Sequence, residues 1–224
     1  MIRLLIADDQ VIVRTGLSIL LGSAQDITVV GEAGTGEEAV RLTRELHPDL
    51  VCMDIRMPVM DGIAATAAIT ADPALRTEVL ILTTFDIDDD IFAALEAGAA
   101  GFLLKGADED TLLAAVRSVA DGDGTLDQRL TRRILREFGR RRTEAPSPQE
   151  EHQALPVPLT AREQDVLEML AQGLSTAEIS AELFVEQTTV KYHLAGLLQK
   201  TASRDRLQAV LWGIRNGLVS VGPR

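Results

Sequence analysis

Short aliphatic runs alternate with amphipathic segments through the first half of this chain, and this alternation constrains the fold more than any other feature. Continuous aliphatic runs are typical of parallel strands that are buried on both faces. The runs lie at residues 2–7, 28–33, 50–54, 78–83 and 101–104. Segments with helical spacing separate them, at 11–21, 36–47, 62–69, 88–97 and 108–120. Regular strand–helix alternation predicts an α/β fold with a doubly wound, five-stranded parallel sheet.

Polar residues follow four of these runs at the point where each run ends. Asp8 and Asp9 follow the first run, and Asp54 ends the third. Thr83 ends the fourth run, and Lys105 follows the fifth. Because functional groups gather at the carboxyl ends of strands in an open parallel sheet, we expect these side chains to converge. The pattern predicts a site for a divalent cation and a phosphoryl group.

The residue types in this set suit phosphoryl chemistry. An aspartate can accept a phosphoryl group as an acyl phosphate. Neighbouring carboxylates repel one another unless a cation lies among them, and Mg²⁺ prefers oxygen ligands and binds phosphate oxygens. Lys105 offers a second cation and Thr83 a hydrogen-bond donor to the phosphoryl group, while the backbone carbonyl of Arg56 is a candidate metal ligand. The sequence therefore predicts Mg²⁺ as the cofactor.

The acidity of the chain belongs to its first half. The net charge of the 224 residues is −12, and residues 1–122 alone carry −13. Residues 123–155 carry +1, and residues 156–224 are neutral. A neutral second half can still bind DNA through a local basic patch, although long-range charge attraction adds little there.

Cysteine usage and hydropathy indicate a cytoplasmic protein that does not enter the membrane. Cys52 is the only cysteine, so no internal disulfide can form. It lies inside an aliphatic run, and we expect it to be inert core. The sequence predicts neither a signal peptide nor a membrane-spanning segment.

Three segments are predicted along the chain: residues 1–121, 122–158 and 159–219. In the middle segment, residues 126–138 have the spacing of one amphipathic helix. An arginine run at 140–142 and a stretch rich in Pro, Glu and Gln follow, which predicts an extended linker.

The last segment has the pattern of a small all-α domain of four helices. Thr160 with Glu163, and Ser175 with Glu178, fit capping boxes that begin two helices. Gly173 is placed to end the first of these. The third and fourth helices are expected near 187–200 and 204–216. Short helices joined by a tight turn predict a helix-turn-helix.

The motifs of the first segment resemble the receiver domain of two-component response regulators, which has a flavodoxin-like fold. These motifs are ADD near the start, MDIRMPVMDG, LTTF and GFLLKG. The resemblance implies Asp54 as phosphoacceptor, with Asp8 and Asp9 as the acidic pair around Mg²⁺ and Asp9 the direct ligand. It implies that Thr83 and Lys105 read the phosphoryl group.

Further residues take roles from the same resemblance. Phe102 occupies the aromatic switch position, for which ordinary burial in the strand is the alternative. Asp61 is expected to be a turn or cap residue.

The last segment resembles the LuxR-type DNA-binding domain, through LTAREQDVLEML, the turn GLS and TVKYH. The whole chain is similar to the NarL/FixJ family. The resemblance implies 187–200 as the recognition helix, with Lys191, Tyr192 and Ala195 at base edges. Val190, Leu194 and Leu197 are expected to pack inward. Further residues are expected to contact phosphates or cap helices: Thr188, Thr189, Lys200 and Arg206.

One departure from the family pattern and one expected partner surface concern the DNA-binding domain. Glu186 stands where relatives have a small capping residue, which weakens the start of the recognition helix. The last helix is expected to leave Trp212 or Val210 for a dimer partner.

The leading hypothesis is a transcription regulator that is switched when a sensor histidine kinase phosphorylates Asp54. Its expected partners are that kinase, promoter DNA and a second copy of the chain, and RNA polymerase is a further candidate. One alternative is a DNA-binding protein whose receiver is only a dimerisation scaffold. The other is a metal-dependent phosphatase, which is disfavoured because Arg56 stands where such enzymes have a second carboxylate. An enzyme is therefore not expected.

Overall fold

The structure is a computed structural model that describes residues 1–83, 89–122 and 158–219. The chain divides into two compact units, Met1–Thr125 and Leu126–Arg224. The helix predicted over 126–138 and the arginine run at 140–142 lie outside the described residues.

The first unit contains a five-stranded parallel sheet, as the aliphatic runs predict. Its strands are β1 (Ile2–Ala7), β2 (Ile27–Ala33), β3 (Leu50–Asp54), β4 (Glu78–Thr83) and β5 (Gly101–Leu104). They are arranged in the order β2-β1-β3-β4-β5. All five residues of β3, the central strand, are buried. After β2, at one edge of the sheet, the chain passes over β1 to the central strand β3, so the ends of β1 and β3 are neighbours.

Helices cover the sheet between successive strands. They are α1 (Val11–Gly22), α2 (Gly36–Leu46), α3 (Gly62–Thr70), α4 (Asp89–Glu96) and α5 (Glu109–Ala120). Asp61 caps α3, because its carboxylate accepts the Ala64 amide at 2.7 Å. The expected capping role of Asp61 is thereby confirmed. Thr35 and Asp108 cap α2 and α5 in the same way.

A glycine at the start of α3 allows the loop after β3 to lie against that strand. The amide of Gly62 donates to the carbonyl of Ile55 at 2.9 Å. A Cβ atom at Gly62 would lie only 1.9 Å from the carbonyl oxygen of Asp54. A larger residue would therefore push the loop away from the strand end that carries Asp54.

Residues 158–219, the described part of the second unit, form four helices, as predicted. They are α6 (Ala161–Ala171), α7 (Thr176–Leu183), α8 (Gln187–Thr201) and α9 (Arg206–Arg215). Both predicted capping boxes are present, at the starts of α6 and α7. Gly173 follows α6 with a φ of 80°, in the left-handed region that favours glycine. The last helix begins at Arg206 rather than near 204, because Asp205 caps it by accepting the Gln208 amide at 2.9 Å.

The described helices were compared with the length and hydropathy that a membrane-spanning helix needs. None of these helices is both long enough and apolar enough to span a bilayer.

Val59 has a strained backbone in the loop between β3 and α3. Its φ is 70°, and the Met60 amide donates to the Pro58 carbonyl at 2.8 Å across it. Left-handed backbone is costly for any residue with a Cβ and is an outlier for a β-branched one. The Val59 side chain is 84% exposed, so packing does not compensate this cost.

We expect Val59→Gly to stabilise the first unit. Relief of the left-handed strain raises the free energy of unfolding by about 1–2 kcal/mol. Glycine also gives the unfolded chain more conformational entropy, which lowers it again by about 0.5–1 kcal/mol. Urea unfolding followed by far-UV circular dichroism measures the difference. Val59→Ala is the control, because it removes the branched side chain and keeps the Cβ. A glycine variant less stable than the alanine variant would contradict the strain.

Candidate functional site

Three carboxylates meet at the carboxyl ends of β1 and β3. One oxygen from each of Asp8, Asp9 and Asp54 lies within 4.8 Å of the others. Asp8 is 1% exposed and Asp54 is 5% exposed, while Asp9 is open to solvent. The predicted convergence of these residues is confirmed. Such a cluster of oxygen ligands, buried on one side and open on the other, suits a hard divalent cation.

Lys105 lies between the two buried carboxylates. Its Nζ is 2.5 Å from Asp8 Oδ2 and 3.0 Å from Asp54 Oδ1. The backbone amide of Lys105 donates to the Thr83 carbonyl at 2.8 Å, which ties the end of β5 to the end of β4. The predicted neighbours Thr83 and Lys105 therefore share one sheet edge with the acidic cluster.

The electrostatics of the cluster follow from burial and from this ammonium. Burial raises the pKa of the Asp54 carboxyl, and the Lys105 ammonium offsets part of the rise. Burial alone would lower the pKa of Lys105, but hydrogen bonds to Asp8 and Asp54 raise it overall. Lys105 therefore stays protonated at neutral pH and balances the buried negative charge.

Arg14, on α1, holds the loop that carries the acidic pair. Its Nη1 donates to the Asp8 carbonyl at 2.6 Å, and its Nε lies 3.6 Å from Glu32. The Asp8 Oδ1 also accepts the Gln10 amide at 2.9 Å. The sequence prediction missed Arg14. An arginine one turn into the helix that follows paired aspartates was the available signal.

Arg56 and Asp90 form a second contact that the sequence did not predict. Arg56 Nη2 lies 2.5 Å from Asp90 Oδ2, so the loop after β3 is joined to the first turn of α4. Both residues are exposed or partly exposed at this edge. The backbone carbonyl of Arg56 as a metal ligand stays a prediction.

Thr83 and Phe102 are both buried. Phe102 pairs with Ile81 in the register of β5 on β4, and it is among the most fully buried large side chains. The described conformation thus has the aromatic ring inside. The switch roles of both residues stay predictions.

Helix α8 divides into a packed and an open face. Val190, Leu194 and Leu197 are buried, as predicted. The open face carries Thr188, Lys191, Tyr192 and Ala195, while Thr189 is partly buried. The predicted base-reading residues are thus exposed to solvent.

Lys200 is engaged inside the second unit. Its Nζ donates to Glu163 Oε2 at 2.7 Å and to the Pro158 carbonyl at 3.1 Å. Gly196 permits this approach, since a Cβ there would lie 2.6 Å from Glu163 Oε1. A phosphate contact by Lys200 would have to exchange this ion pair. Arg206 begins α9 and is partly buried, so its predicted phosphate contact also stays a prediction.

The start of α8 lacks a side-chain cap. Glu186 occupies the cap position without a side-chain hydrogen bond to the helix. Ser180 stabilises the preceding turn, because its hydroxyl donates to the Val185 carbonyl at 2.6 Å. The sequence-based expectation of a weak helix start agrees with this geometry.

The expected partner surface on α9 requires a correction. Val210 is only 3% exposed. It is buried in the core of its own unit, as are Leu207, Leu211 and Ile214. Trp212 is partly exposed. Of the two residues named for a partner, Trp212 alone retains open surface.

The fold and the two sites define a class of protein in which a receiver-like α/β unit precedes a helix-turn-helix unit. A family model described as the response regulator receiver domain matches residues 4–117. A model described as bacterial regulatory proteins of the luxR family matches residues 157–212.

Similar proteins cover nearly the whole chain. The transcriptional regulatory protein LnrK of Bacillus subtilis (strain 168) is 41% identical over 219 residues, which are 97% of this chain and 99% of LnrK. LiaR of the same organism is 38% identical over 223 residues, 98% of this chain and 100% of LiaR. A crystal structure of the response regulator ChrA of a heme-sensing two-component system is 37% identical with a TM-score of 0.51, and it covers 97% of this chain and 98% of ChrA.

This chain belongs to the two-component response regulators that join a receiver domain to a LuxR-type DNA-binding domain. The predicted resemblance to the receiver and LuxR-type families is confirmed. The relatives named above are transcriptional regulators or response regulators.

We expect Lys105→Met to destabilise the first unit without Mg²⁺ and to increase the stabilisation that Mg²⁺ provides. Loss of the ammonium leaves buried carboxylates unpaired, which costs about 3 kcal/mol. A divalent cation then meets no competing charge between Asp8 and Asp54. Thermal melting with and without millimolar Mg²⁺ measures both effects.

The matched control for Lys105→Met is Arg117→Met, which breaks the exposed ion pair with Asp26 away from the acidic cluster. Its gain from Mg²⁺ should equal that of the parent. An equal gain in Lys105→Met and the parent would show that the ammonium and the cation do not compete.

Asp205 gives the second unit a predictable pH dependence. The side chain is buried, and burial raises its pKa from 3.8 to about 6. Because the folded state holds this proton more tightly, its contribution to stability is full below pH 3.8 and is lost as pH rises through about 6. The loss is about 3 kcal/mol, from the value of 1.36 kcal/mol per pKa unit.

We expect Asp205→Asn to remove this dependence, since asparagine keeps a helix cap but does not titrate. Trp212 is the only tryptophan, so its fluorescence during urea unfolding reports on the second unit. The stability of the parent, relative to Asp205→Asn, should fall by about 3 kcal/mol between roughly pH 4 and pH 7. Parallel pH profiles for the two proteins would contradict the buried, protonated carboxyl.

Proposed function

We propose that this protein is a transcription regulator whose DNA binding is switched by Mg²⁺-dependent phosphorylation of Asp54 by a sensor histidine kinase. The observation that carries the proposal is the cluster of Asp8, Asp9 and Asp54 around the Lys105 ammonium. We assign residues 1–121 to the receiver, 122–158 to the linker and 159–219 to the DNA-binding domain.

Asp54 accepts the phosphoryl group in this proposal. The bond between phosphorus and a kinase histidine nitrogen breaks, and a bond from phosphorus to an Asp54 carboxylate oxygen forms. Lys105, already 3.0 Å from Asp54, moves from Asp8 to an oxygen of the new phosphoryl group. Thr83 donates a hydrogen bond to another of these oxygens.

Asp8, Asp9, Asp54 and the Arg56 carbonyl would hold the Mg²⁺. When bound, the ion neutralises the charge that develops on the transferring phosphoryl group. The donor set fits this role, because three carboxylates with one ammonium leave two negative charges for a divalent cation.

The contact between Arg56 and Asp90 supports a route from the phosphoryl group to α4. Phosphorylation replaces the single negative charge of the Asp54 carboxylate with an acyl phosphate of about −1.5 to −2, two residues from Arg56. That charge competes with Asp90 for the guanidinium, and release of Asp90 frees the first turn of α4. Movement of α4, with Thr83 and Phe102 following, then changes the surface available to a second copy of the chain.

DNA binding by a phosphorylated dimer is the proposed output. Helix α8 enters the major groove of promoter DNA, and two copies read two half-sites. The regulatory names of LnrK and LiaR support this assignment. RNA polymerase is a candidate partner at the promoter.

Two alternative functions, a phosphatase and a dimerisation scaffold, fit the site less well. A phosphatase would need a general acid near Asp54, and the position two residues after Asp54 holds Arg56, which contacts Asp90. A receiver that serves only as a scaffold would not need the complete set of phosphoryl-reading residues. We therefore favour a phosphorylation switch.

The decisive experiment compares the parent with Asp54→Asn. Acetyl phosphate and Mg²⁺ should add one phosphoryl group to the parent, as measured by intact mass, and none to the variant. Beryllofluoride with Mg²⁺ should raise the mass of the parent in light scattering and its affinity for promoter DNA, but should not affect the variant. Labelling of Asp54→Asn at the level of the parent would refute Asp54 as the acceptor. DNA affinity that ignores beryllofluoride in the parent would favour the scaffold alternative.

A further inference from the structure

The open face of α8 is poor in charge. Its described exposed positions are Gln187, Thr188, Lys191, Tyr192, Ala195 and Gln199. The helix contains two cations, Lys191 and Lys200, and the second is held by Glu163 and the Pro158 carbonyl. Lys191 is therefore the one cation of the described α8 that is exposed on this face.

An aromatic ring and a methyl group lie at the centre of the same face. Tyr192 is 76% exposed, and Ala195 follows it by three residues, almost one helical turn. The Tyr192 ring meets the His193 ring edge-on, with 5.5 Å between centroids and 72° between planes. This contact favours one orientation of the exposed ring before any DNA is bound.

Apolar groups on a recognition helix have one specific partner in the major groove. Thymine presents a C5-methyl group there, whereas guanine is read by charged or forked donors such as arginine and lysine. A tyrosine ring offers an apolar surface for that methyl group. A short alanine lets the helix backbone come close to the base edges.

We infer that Tyr192 is a specificity-determining residue that reads the C5-methyl group of a thymine, with Ala195 providing the close approach. The inference rests on the proposed DNA-binding function and names the base feature that the site recognises. Lys191 contributes charge rather than this selectivity.

The test begins with the full-length chain, activated by beryllofluoride and Mg²⁺. It is used to select bound sequences from duplexes with a randomised centre. Each thymine of the selected duplex is then replaced, one at a time, by deoxyuridine, which removes only the C5-methyl group. Fluorescence anisotropy measures the affinity of the parent, Tyr192→Ala and Tyr192→Phe for every duplex.

We expect at least one thymine in each half-site whose replacement weakens binding by the parent about fourfold, the value of one buried methyl group. Tyr192→Ala should bind the thymine and uracil duplexes equally at that position. Tyr192→Phe should keep the difference, because it retains the ring. Trp212 fluorescence checks that the exposed substitutions leave the second unit folded.

Two results would overturn the inference alone. In one, every uracil duplex binds the parent within twofold of the thymine duplex. In the other, Tyr192→Ala keeps the full loss at each sensitive thymine. Failure to select any duplex would overturn the proposed DNA binding as well, so the two failures are distinguishable. A Lys191→Ala variant should instead weaken binding to all duplexes and reduce the salt dependence.

Discussion

The Lys105 ammonium allows two buried carboxylates to lie side by side at the end of the sheet. Without it, Asp8 and Asp54 would repel each other in a site that water hardly reaches, and one of them would take up a proton. With Asp9 included, three carboxylates and one ammonium leave two negative charges. The ammonium thus makes the buried site compatible with folding, and the remaining negative charge suits a divalent cation. This charge balance requires the surrounding elements to hold the four charged groups in position.

The surrounding elements keep these charges at fixed positions. Arg14 holds the Asp8 carbonyl from α1, and the close approach of Gly62 holds the loop beside Asp54. The backbone bond between Lys105 and Thr83 fixes the distance between the last two strand ends. A change in the charge of Asp54 therefore cannot be absorbed by general relaxation. It has to be met by the mobile parts of long side chains such as Lys105, whose Nζ lies 3.0 Å from Asp54 Oδ1.

The sequence predicted the sheet, the helices and the meeting of Asp8, Asp9 and Asp54, because strand periodicity and parallel topology place backbone atoms within narrow limits. It did not predict which partners the long side chains take. Arg56 and Lys200 can each reach several groups within one side-chain length, and local pattern does not choose among them. The structure pairs Arg56 with Asp90 and Lys200 with Glu163. The last helix was predicted near 204–216 and begins at Arg206, and its exact start depends on the side-chain hydrogen bond of Asp205.

Each unit contains a lysine paired with buried carboxylate groups: Lys105 with Asp8 and Asp54, and Lys200 with Glu163. The two pairs differ in their surroundings. Burial alone would raise the pKa of Glu163, yet hydrogen bonds from Lys200 and Thr160 lower it overall. Glu163 is thereby held from both sides and joins α6 to the C-terminal part of α8. The pair near Asp54 instead lies beside the exposed Asp9, where, in the proposed function, a cation and a phosphoryl group would replace each partner. In the proposed function the first pair is the exchangeable one. The second pair joins α6 to one end of α8, whose other end, at Glu186, has no side-chain cap.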